Sequence, residues 1–259
     1  MNGKLNLLLS RGAFALVLLA LWEYGARNFG FDFYISRPTD IFARLIAWIG
    51  DGTLFFHMSI TVVETVVGFI GGALVGIAVG LVLGRATKVA AVIDPFMMGF
   101  YSMPKVALAP VFVLWFGIDM DMKIIFVGMI VFFLVFLNTY TGVRNVSREQ
   151  IAILRLMGAN ERHLTTKVIL PSAIVWVFAG LRLSVPYALI GAIIGEMMAT
   201  NRGLGFLLAN TASTFDSAGT FATLIAIIAL SMTLNGIVHW GERKLMPWQT
   251  VQEMQEVTI

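Results

Sequence analysis

Long apolar runs, separated by short polar segments, make up most of this sequence. A run of about 20 apolar residues is long enough to cross the hydrocarbon core of a bilayer as a helix. By this criterion the sequence predicts spans at 12–27, 59–84, 89–117, 122–143, 168–199 and 220–242. The pattern therefore predicts an all-α membrane protein with about six transmembrane helices, built as a single transmembrane domain over residues 1–259. The polar tail QTVQEMQEVTI, after the last span, is expected to be a solvated end.

The composition supports a membrane protein and excludes several kinds of chemistry. Of the 259 residues, 58% are hydrophobic and only 13% are charged, whereas about a quarter of a soluble domain is charged. The formal net charge of +3 is too small to indicate a nucleic-acid partner. The chain has no cysteine, which excludes disulfides and thiolate metal sites. Its three histidines, His57, His163 and His239, lack metal-ligand spacing, so we expect no metal site.

The distribution of Lys and Arg indicates how the helices are oriented in the lipid bilayer. If both termini are cytoplasmic, the inner segments hold eleven Lys and Arg residues and the outer segments hold five, Lys123 among them. An excess of these residues in cytoplasmic segments is the usual pattern in membrane proteins. We therefore expect both termini in the cytoplasm. The polar segment between the fourth and fifth spans then also lies there, where ATP is available.

Glycines recur at every fourth position of the second span. They form one slowly turning helical stripe, with Gly71 beside it, and comprise Gly68, Gly72, Gly76, Gly80 and Gly84. Each glycine costs a helix roughly 1 kcal/mol against alanine in water, so such a stripe suggests that another helix packs very closely here. Two interpretations are open: close packing within the bundle of helices, or a surface that moves or faces another subunit.

The third span contains three prolines, Pro95, Pro104 and Pro110. Proline removes a backbone donor and kinks a helix, and the carbonyls that it frees need a cavity, water or neighbouring protein. The span is therefore expected to be either a kinked packing helix or a discontinuous helix of the kind that lines a transport pathway.

Ionisable residues lie within several spans, where each costs about 2.5–3.5 kcal/mol at a helix centre. Glu64, Arg182 and Glu196 are the clearest cases, and Lys105 is a further candidate. Such groups face an aqueous pathway or pair with one another inside the bundle, and both roles are open here. Arg182 and Glu196 are about 21 Å apart along one helix, so each needs a different partner. As residues of a translocation pathway the sequence suggests Ser102, Asn138, Thr139, Arg182 and Glu196.

A short polar segment, MGANERHLTTKVILP at residues 157–171, lies between the fourth and fifth spans. Gly158 is expected to end or bend the helix before it, and Asn160 can cap a new helix at ERHLTTK. Pro171 then falls in the first turn of the fifth span, where its missing N–H costs little. These signals predict a short polar helix that projects from the bundle at an angle.

The same segment resembles the signature of ABC-importer permeases. Gly158, nine residues, Val168, one residue and then Leu170-Pro171 match its pattern EAA-x3-G-x9-I-x-LP. The resemblance covers most of residues 57–248 and includes the runs YSMPKVALAPVFVLWFGI, NTYTGVRNV, GLRLSVPYALIGAIIGEMMATNRGLGFLL and GERKLMPW. These runs are most similar to the permeases that import nitrate, taurine and aliphatic sulfonates.

The chain departs from this family pattern at two places. The EAA positions hold Ala152-Ile153-Leu154, with Glu149 one turn earlier, so the charge expected at the start of the motif is missing or displaced. Glu64 stands where many relatives carry Arg. A reversed charge at that position would alter its partner or the pathway.

The resemblance implies a type I ABC importer permease fold, with a cytoplasmic coupling helix at about residues 155–167 that docks on a separate ATPase subunit. The implied ATPase contacts are Gly158, Ala159, Asn160, Glu161, Arg162, His163, Leu170 and Pro171. The resemblance further implies two ATPase copies, which carry the ATP and Mg, a second permease copy in a homodimer, and an extracytoplasmic substrate-binding protein. The assembly would lie in the inner membrane of a bacterium. The substrate stays open among small solutes such as nitrate, taurine, a sulfonate or a vitamin precursor.

Two other functions compete with an importer subunit. A self-contained secondary transporter or channel would account for the ionisable residues and the prolines of the third span, but gives no reason for the polar segment. A membrane-embedded hydrolase needs a nucleophile beside a base, and the sequence has no G-x-S-x-G, no HExxH and no histidine deep in a span. The chain also has no G-x-x-x-x-G-K-[ST] loop for phosphates, so we expect no ATP hydrolysis by this subunit itself.

Overall fold

The computed structural model describes residues 2–28 and 35–246, and this part of the chain contains helices and no strand. The α-helices are Asn2–Asn28 (α1), Pro38–Gly50 (α2), Thr53–Arg85 (α3), Thr87–Ser102 (α4), Ala109–Phe116 (α5), Met120–Arg144 (α6), Arg148–Leu156 (α7), Glu161–Leu164 (α8), Leu170–Ala199 (α9), Leu204–Ser213 (α10) and Ser217–Leu245 (α11). A 3-10 turn at Lys105–Leu108 precedes α5, and a π turn at Thr165–Ile169 joins α8 to α9. The predicted solvated tail, residues 249–259, lies outside the described residues.

The long helices coincide with the predicted spans. Helices α3, α6 and α11 and the continuous helical stretch Glu161–Met198 are each long and apolar enough to cross a membrane. Helices α4 and α5 together are also long and apolar enough for one span, with a bend between them. The first predicted span, 12–27, lies within the 27-residue helix α1. The prediction of an all-α membrane protein with about six spans is confirmed.

The helices group into two compact units. The first combines Met1–Thr61 with Glu196–Ala229, and the second combines Val62–Gly195 with Leu230–Ile259. In the second unit, small and β-branched side chains of α3, α6 and α9 form a buried core of Ala73, Val127, Val131, Val135, Ala188 and Ala192. The polar segment and most of the predicted pathway residues belong to this second unit.

The glycine stripe of α3 packs directly on α6. A Cβ added at Gly68 would lie only 2.7 Å from the Cβ of Val127, closer than real carbon atoms pack. A Cβ added at Gly76 would lie 2.9 Å from the carbonyl oxygen of Phe132. The other three glycines of the stripe face α6 in the same way: Gly72 against Gly128, Gly80 against Thr139 and Gly84 against Val143. The missing side chains therefore allow the two helix backbones to approach closely.

The third predicted span is discontinuous. Its two parts, Lys88–Ser102 and Lys105–Phe116, are bent by 84° relative to each other. Met103 is extended, with φ −68° and ψ 134°, because the residue before a proline is disfavoured in the helical conformation. Pro104 therefore separates the two parts, whereas Pro110 lies in the first turn of α5, where its missing N–H is harmless. Of the two interpretations of this span, the structure supports the discontinuous one.

Candidate coupling segment and translocation cavity

A glycine in the left-handed conformation closes α7 at the start of the polar segment. Gly158 has φ +84°, which favours glycine, and its N–H donates to the carbonyl of Arg155 at 3.0 Å. The N–H of Ala159 reaches back to the carbonyl of Leu154 at 2.9 Å. These bonds satisfy carbonyl groups that the end of a helix would otherwise leave unpaired. The chain therefore leaves α7 in a tight turn of defined geometry.

Asn160 begins the next helix, as the sequence predicts. Its side-chain oxygen accepts a hydrogen bond from the backbone N–H of His163 at 2.9 Å and so caps the N-terminus of α8. Leu164 is almost fully buried and anchors this turn, whereas Arg162 and His163 are exposed. The segment therefore presents charged side chains outward from one apolar anchor.

The helix that follows differs from the prediction of a short helix that projects at an angle. The structure has one helical stretch, Glu161–Met198, with the π turn Thr165–Ile169 inside it. Here the N–H of Leu170 donates to the carbonyl of Thr165, five residues back rather than four. Pro171 explains the turn, because it has no N–H for the carbonyl four residues earlier. The wider turn accommodates the missing bond without ending the helix, so the polar segment is continuous with the fifth span.

Glu161 ties the start of this stretch to two other helices. Its carboxylate lies 3.1 Å from the guanidinium of Arg85, at the end of α3, and 3.0 Å from that of Arg155 on α7. Arg85 also donates to the hydroxyl of Thr165 at 2.5 Å. Each exposed ion pair contributes little free energy by itself. Together, however, these contacts fix the position of α8 relative to α3 and α7.

Exposed apolar side chains lie beside these charges, on and just after α7. The exposed fraction is 88% for Leu156, 77% for Met157 and 58% for Ile153. A cleft of about 390 Å³ is lined by Gln150, Ile153, Leu154, Lys167, Val168, Pro171 and Ser172. Apolar surface rimmed by polar groups marks protein interaction sites. We name the polar segment and these three side chains the coupling surface. Leu156 and Met157 lie within the predicted coupling segment, about residues 155–167, but were not among the predicted ATPase contacts, although the pattern REQIAILRL indicates an amphipathic α7.

The predicted pathway residues of the second unit do not share one cavity. Ser102 and Asn138 each donate to a backbone carbonyl of their own helix, at 2.9 and 2.8 Å. Thr139 is fully buried, and its hydroxyl has no hydrogen-bond partner among the described residues. Arg182 pairs with Glu242 of α11 at 3.1 Å. Arg182 therefore has a counter-ion within the chain.

Glu196, in the first unit, holds a loop in place. Its carboxylate is fully buried and accepts hydrogen bonds from the hydroxyl of Thr61 and the backbone N–H of Gly205, both at 2.6 Å. Gly203, in the same loop, has φ +101° and leaves no room for a Cβ beside this carboxylate. The N–H of Gly203 donates to His57 at 3.0 Å. The geometry gives Glu196 a structural role in closing the loop between α9 and α10.

Lys123 is a buried charge that the sequence analysis assigned to an outer segment. It lies in the first turn of α6 with 2% of its side chain exposed, and its ammonium is 2.9 Å from the carboxylate of Glu64. Glu64 is fully buried, so the pair neutralises both charges inside the bundle. The two residues meet because α3 packs against α6. Their spacing along the chain does not predict this contact.

A cavity of about 300 Å³ lies at the break in the third span. It is lined by Tyr101, Lys105, Val106, Ile130, Leu134, Tyr187 and Ile190. The ammonium of Lys105 donates to the carbonyl of Tyr101 at 2.9 Å. It also lies 4.9 Å from the centre of the Tyr101 ring and 5.5 Å from that of Phe133. These cation–π contacts hold the charge at the wall of what we name the lysine cavity.

Several apolar spans, a cavity at a broken span and an exposed surface continuous with one span are features that membrane transport proteins share. Over residues 72–247 the sequence matches the family described as the binding-protein-dependent transport system inner membrane component. The chain belongs to this family, and it is a permease subunit of an ABC importer.

Two relatives agree with this assignment, and a solved structure shares the fold. The formylaminopyrimidine transport permease protein ThiX of Halalkalibacterium halodurans is 30% identical over 239 residues, which are 92% of this chain and 95% of the relative. The taurine transport system permease protein TauC of Escherichia coli is 25% identical over 245 residues, 93% and 89% of the two chains. The crystal structure of an amino acid ABC transporter with histidines matches with a TM-score of 0.60 at 15% identity, covering 77% of this chain and 98% of that one. The last comparison shows the fold alone.

Proposed function

We propose that this chain forms the translocation path of an ATP-driven importer as one of two identical permease subunits, and that its coupling surface docks one of two separate ATPase subunits. The observation that carries the proposal is the continuity of the stretch Glu161–Met198. A partner that displaces the polar segment also displaces the fifth span, since no break separates them. Arg85 and Arg155 extend the displacement to α3 and α7 through their contacts with Glu161.

The coupling surface has both parts of a protein interface. Arg162 and His163 supply exposed polar groups, and Leu156 and Met157 supply apolar area that a partner would remove from water. Gly158 and Asn160 set the shape of the turn, and Leu170 and Pro171 join it to the span. Six of the eight residues that the family resemblance implies therefore divide into contacts and shape-determining positions.

The transport cycle follows from these connections. Closure of the ATPase pair on ATP and Mg would bring the two coupling surfaces together and turn the path outward, where an extracytoplasmic binding protein delivers the solute. Hydrolysis would then return the path to its inward state. This is alternating access, in which differential binding energy selects between conformations. On this proposal both termini are cytoplasmic, the protein lies in a bacterial inner membrane, and the nucleotide site belongs to the partner.

The transported solute is a small molecule, and its chemical class has to be inferred from the residues of this chain. The names of the relatives, formylaminopyrimidine and taurine permeases, point to chemically different solutes. Formylaminopyrimidine is a planar heterocycle, whereas taurine carries a sulfonate. Membership of the family therefore leaves open whether the solute carries an anionic group.

Copurification with the cognate ATPase tests the docking proposal. Wild type is compared with Arg162→Glu and Leu156→Glu, which place a negative charge on the coupling surface. Thr214→Glu is the matched control, because it places the same charge at an exposed position after α10. We expect wild type and the control to retain the ATPase, and the two coupling-surface variants to lose it while still inserting into the membrane.

The other outcomes separate the alternatives. Equal retention of the ATPase by all four proteins would refute the docking surface but keep an ATPase partner. Absence of the ATPase from every preparation, with solute transport that needs no ATPase, would instead support a self-contained transporter or channel.

A further inference from the structure

Charged side chains within the spans of the second unit are of two kinds. Glu64 has Lys123 as its counter-ion, and Arg182 has Glu242, so the protein itself neutralises these charges. Lys105 is different. The seven residues that line its cavity include no acidic side chain, and its ammonium contacts a backbone carbonyl and two aromatic rings.

An ammonium in these surroundings carries a net positive charge beside apolar surface, which is costly at membrane depth. The carbonyl of Tyr101 accepts a hydrogen bond from one of the three N–H groups of this ammonium. Contacts with aromatic faces recover part of this cost, but they leave the charge uncompensated. An anion in the cavity would neutralise Lys105 and accept its remaining hydrogen bonds.

The size and lining of the cavity restrict what such an anion is. Its volume of about 300 Å³ is at the lower end of small-molecule sites. Four of the lining residues are aliphatic, and Tyr101 and Tyr187 add aromatic faces, each with one hydroxyl. A small organic anion with a short apolar or planar body fits this lining better than an inorganic ion, which gains nothing from apolar walls.

The cavity also lies at a suitable depth for a transported solute. Ile130 and Leu134 straddle the middle of α6, one of the membrane-spanning helices. The non-helical backbone around Pro104 borders the same cavity, and such backbone is tolerated within a membrane where it lines a cavity. We propose that the lysine cavity is a binding subsite for a small organic anion, with Lys105 as the residue that binds the anionic group. This inference rests on the proposed function, because it names the class of solute that crosses the path.

A single-thiol reporter tests the inference without knowledge of the natural solute. The chain has no cysteine, so Tyr187→Cys places one thiol at the cavity of the full-length permease in membrane vesicles. Its reaction rate is measured with two methanethiosulfonates of similar size, one bearing a sulfonate and the other a trimethylammonium group. The ratio of the two rates reports the local charge, and any change in the intrinsic reactivity of the thiol cancels.

We expect the rate ratio to favour the sulfonate reagent, to fall about tenfold when Lys105 is replaced by Gln, and to reverse in Lys105→Glu. His163→Cys, on the exposed polar segment, is the control, because its ratio should not respond to Lys105→Gln. If the rate ratio at position 187 is the same with and without Lys105→Gln, the proposal is overturned. The same holds if the thiol at 187 fails to react while the thiol at 163 reacts.

Protection then distinguishes binding from simple attraction. Millimolar ethanesulfonate or acetate competes with a neutral maleimide for Tyr187→Cys, and ethanesulfonamide is the uncharged match. We expect the anions to slow labelling several-fold with Lys105 present and to lose this effect in Lys105→Gln. Protection by neither anion, or equal protection in both proteins, would overturn the subsite. No step uses the ATPase, so failure here and failure of the docking proposal are distinguishable.

Discussion

Lys123 and Lys105 each stand near the start of a helical element in a membrane-embedded part of the second unit, and the protein holds them in opposite ways. Lys123 is buried and lies 2.9 Å from a buried carboxylate. Lys105 lies at a cavity and contacts a carbonyl and aromatic rings. The first charge is balanced by the fold, whereas the second is available to a ligand. The counter-ion, rather than the residue type or its depth, therefore separates a structural lysine from a binding lysine.

The largest expected effect is on the buried pair. Lys123→Met leaves the carboxylate of Glu64 buried without its cation, which should lower the free energy of unfolding by about 3–5 kcal/mol. The double variant Glu64→Gln/Lys123→Met removes both charges and should recover most of the loss. Thermal unfolding of the purified permease, followed by the fraction that remains monodisperse after heating, measures both. A double variant less stable than either single one would mean that the two residues act separately.

Packing of α3 on α6 brings this pair together, so the glycine stripe supplies the next test. Gly72→Ala places a Cβ against the backbone of Gly128 and should cost about 1–3 kcal/mol. Gly71→Ala is the matched control on the same helix, because a Cβ there meets nothing within 4 Å. The same heating assay should show the first variant destabilised and the second unchanged or slightly more stable. Equal losses at both positions would contradict the packing described here.

An exposed ion pair gives a smaller effect than the buried one at a similar distance. Glu161→Gln removes the contacts with Arg85 and Arg155, and it should change the free energy of unfolding by no more than about 1 kcal/mol. Its effect should appear instead in coupling, as weaker stimulation of ATP hydrolysis by the loaded binding protein. A large loss of stability without a change in stimulation would show that these contacts serve folding rather than transmission.

The smallest expected effect on stability is at Lys105. Lys105→Met keeps most of the length of the side chain and removes a charge that has no acidic neighbour in its cavity, so any loss in the free energy of unfolding should be less than about 0.5 kcal/mol. Protection of the Tyr187→Cys thiol by ethanesulfonate should nevertheless be lost. The heating assay and the labelling assay, run on the same preparation, test both statements. Destabilisation as large as that of Lys123→Met would remove the distinction between the two lysines.

Features with a local cause could be predicted from the sequence. The span at 122–143 agrees with α6, because a continuous apolar run is itself the cause of a membrane-spanning helix. The turn at Gly158 and the cap at Asn160 were likewise predictable, since each depends on one residue and its immediate neighbours. The family signature lies in this same local segment. The resemblance and the capping residues therefore both point to a helical turn at residues 158–164.

Features that depend on contacts between distant residues could not be predicted. The pairing of Lys123 with Glu64 requires the register of α3 on α6, which no spacing in one chain reveals. Ser102 and Asn138 are polar residues at membrane depth, but the side chain of each donates a hydrogen bond to a backbone carbonyl of its own helix. Polarity within a span is therefore insufficient evidence for a pathway residue. The π turn before Pro171 was missed because the same sequence permits a break in the helix or a widened turn.

Native mass spectrometry of the complex purified from membranes tests the central claim most directly. The claim is that two copies of this chain each dock one ATPase on the coupling surface. The predicted result is a mass of two permeases with two ATPases for the wild type, and of two permeases alone for Arg162→Glu. A wild-type complex without ATPase, or an unchanged complex in Arg162→Glu, would contradict it.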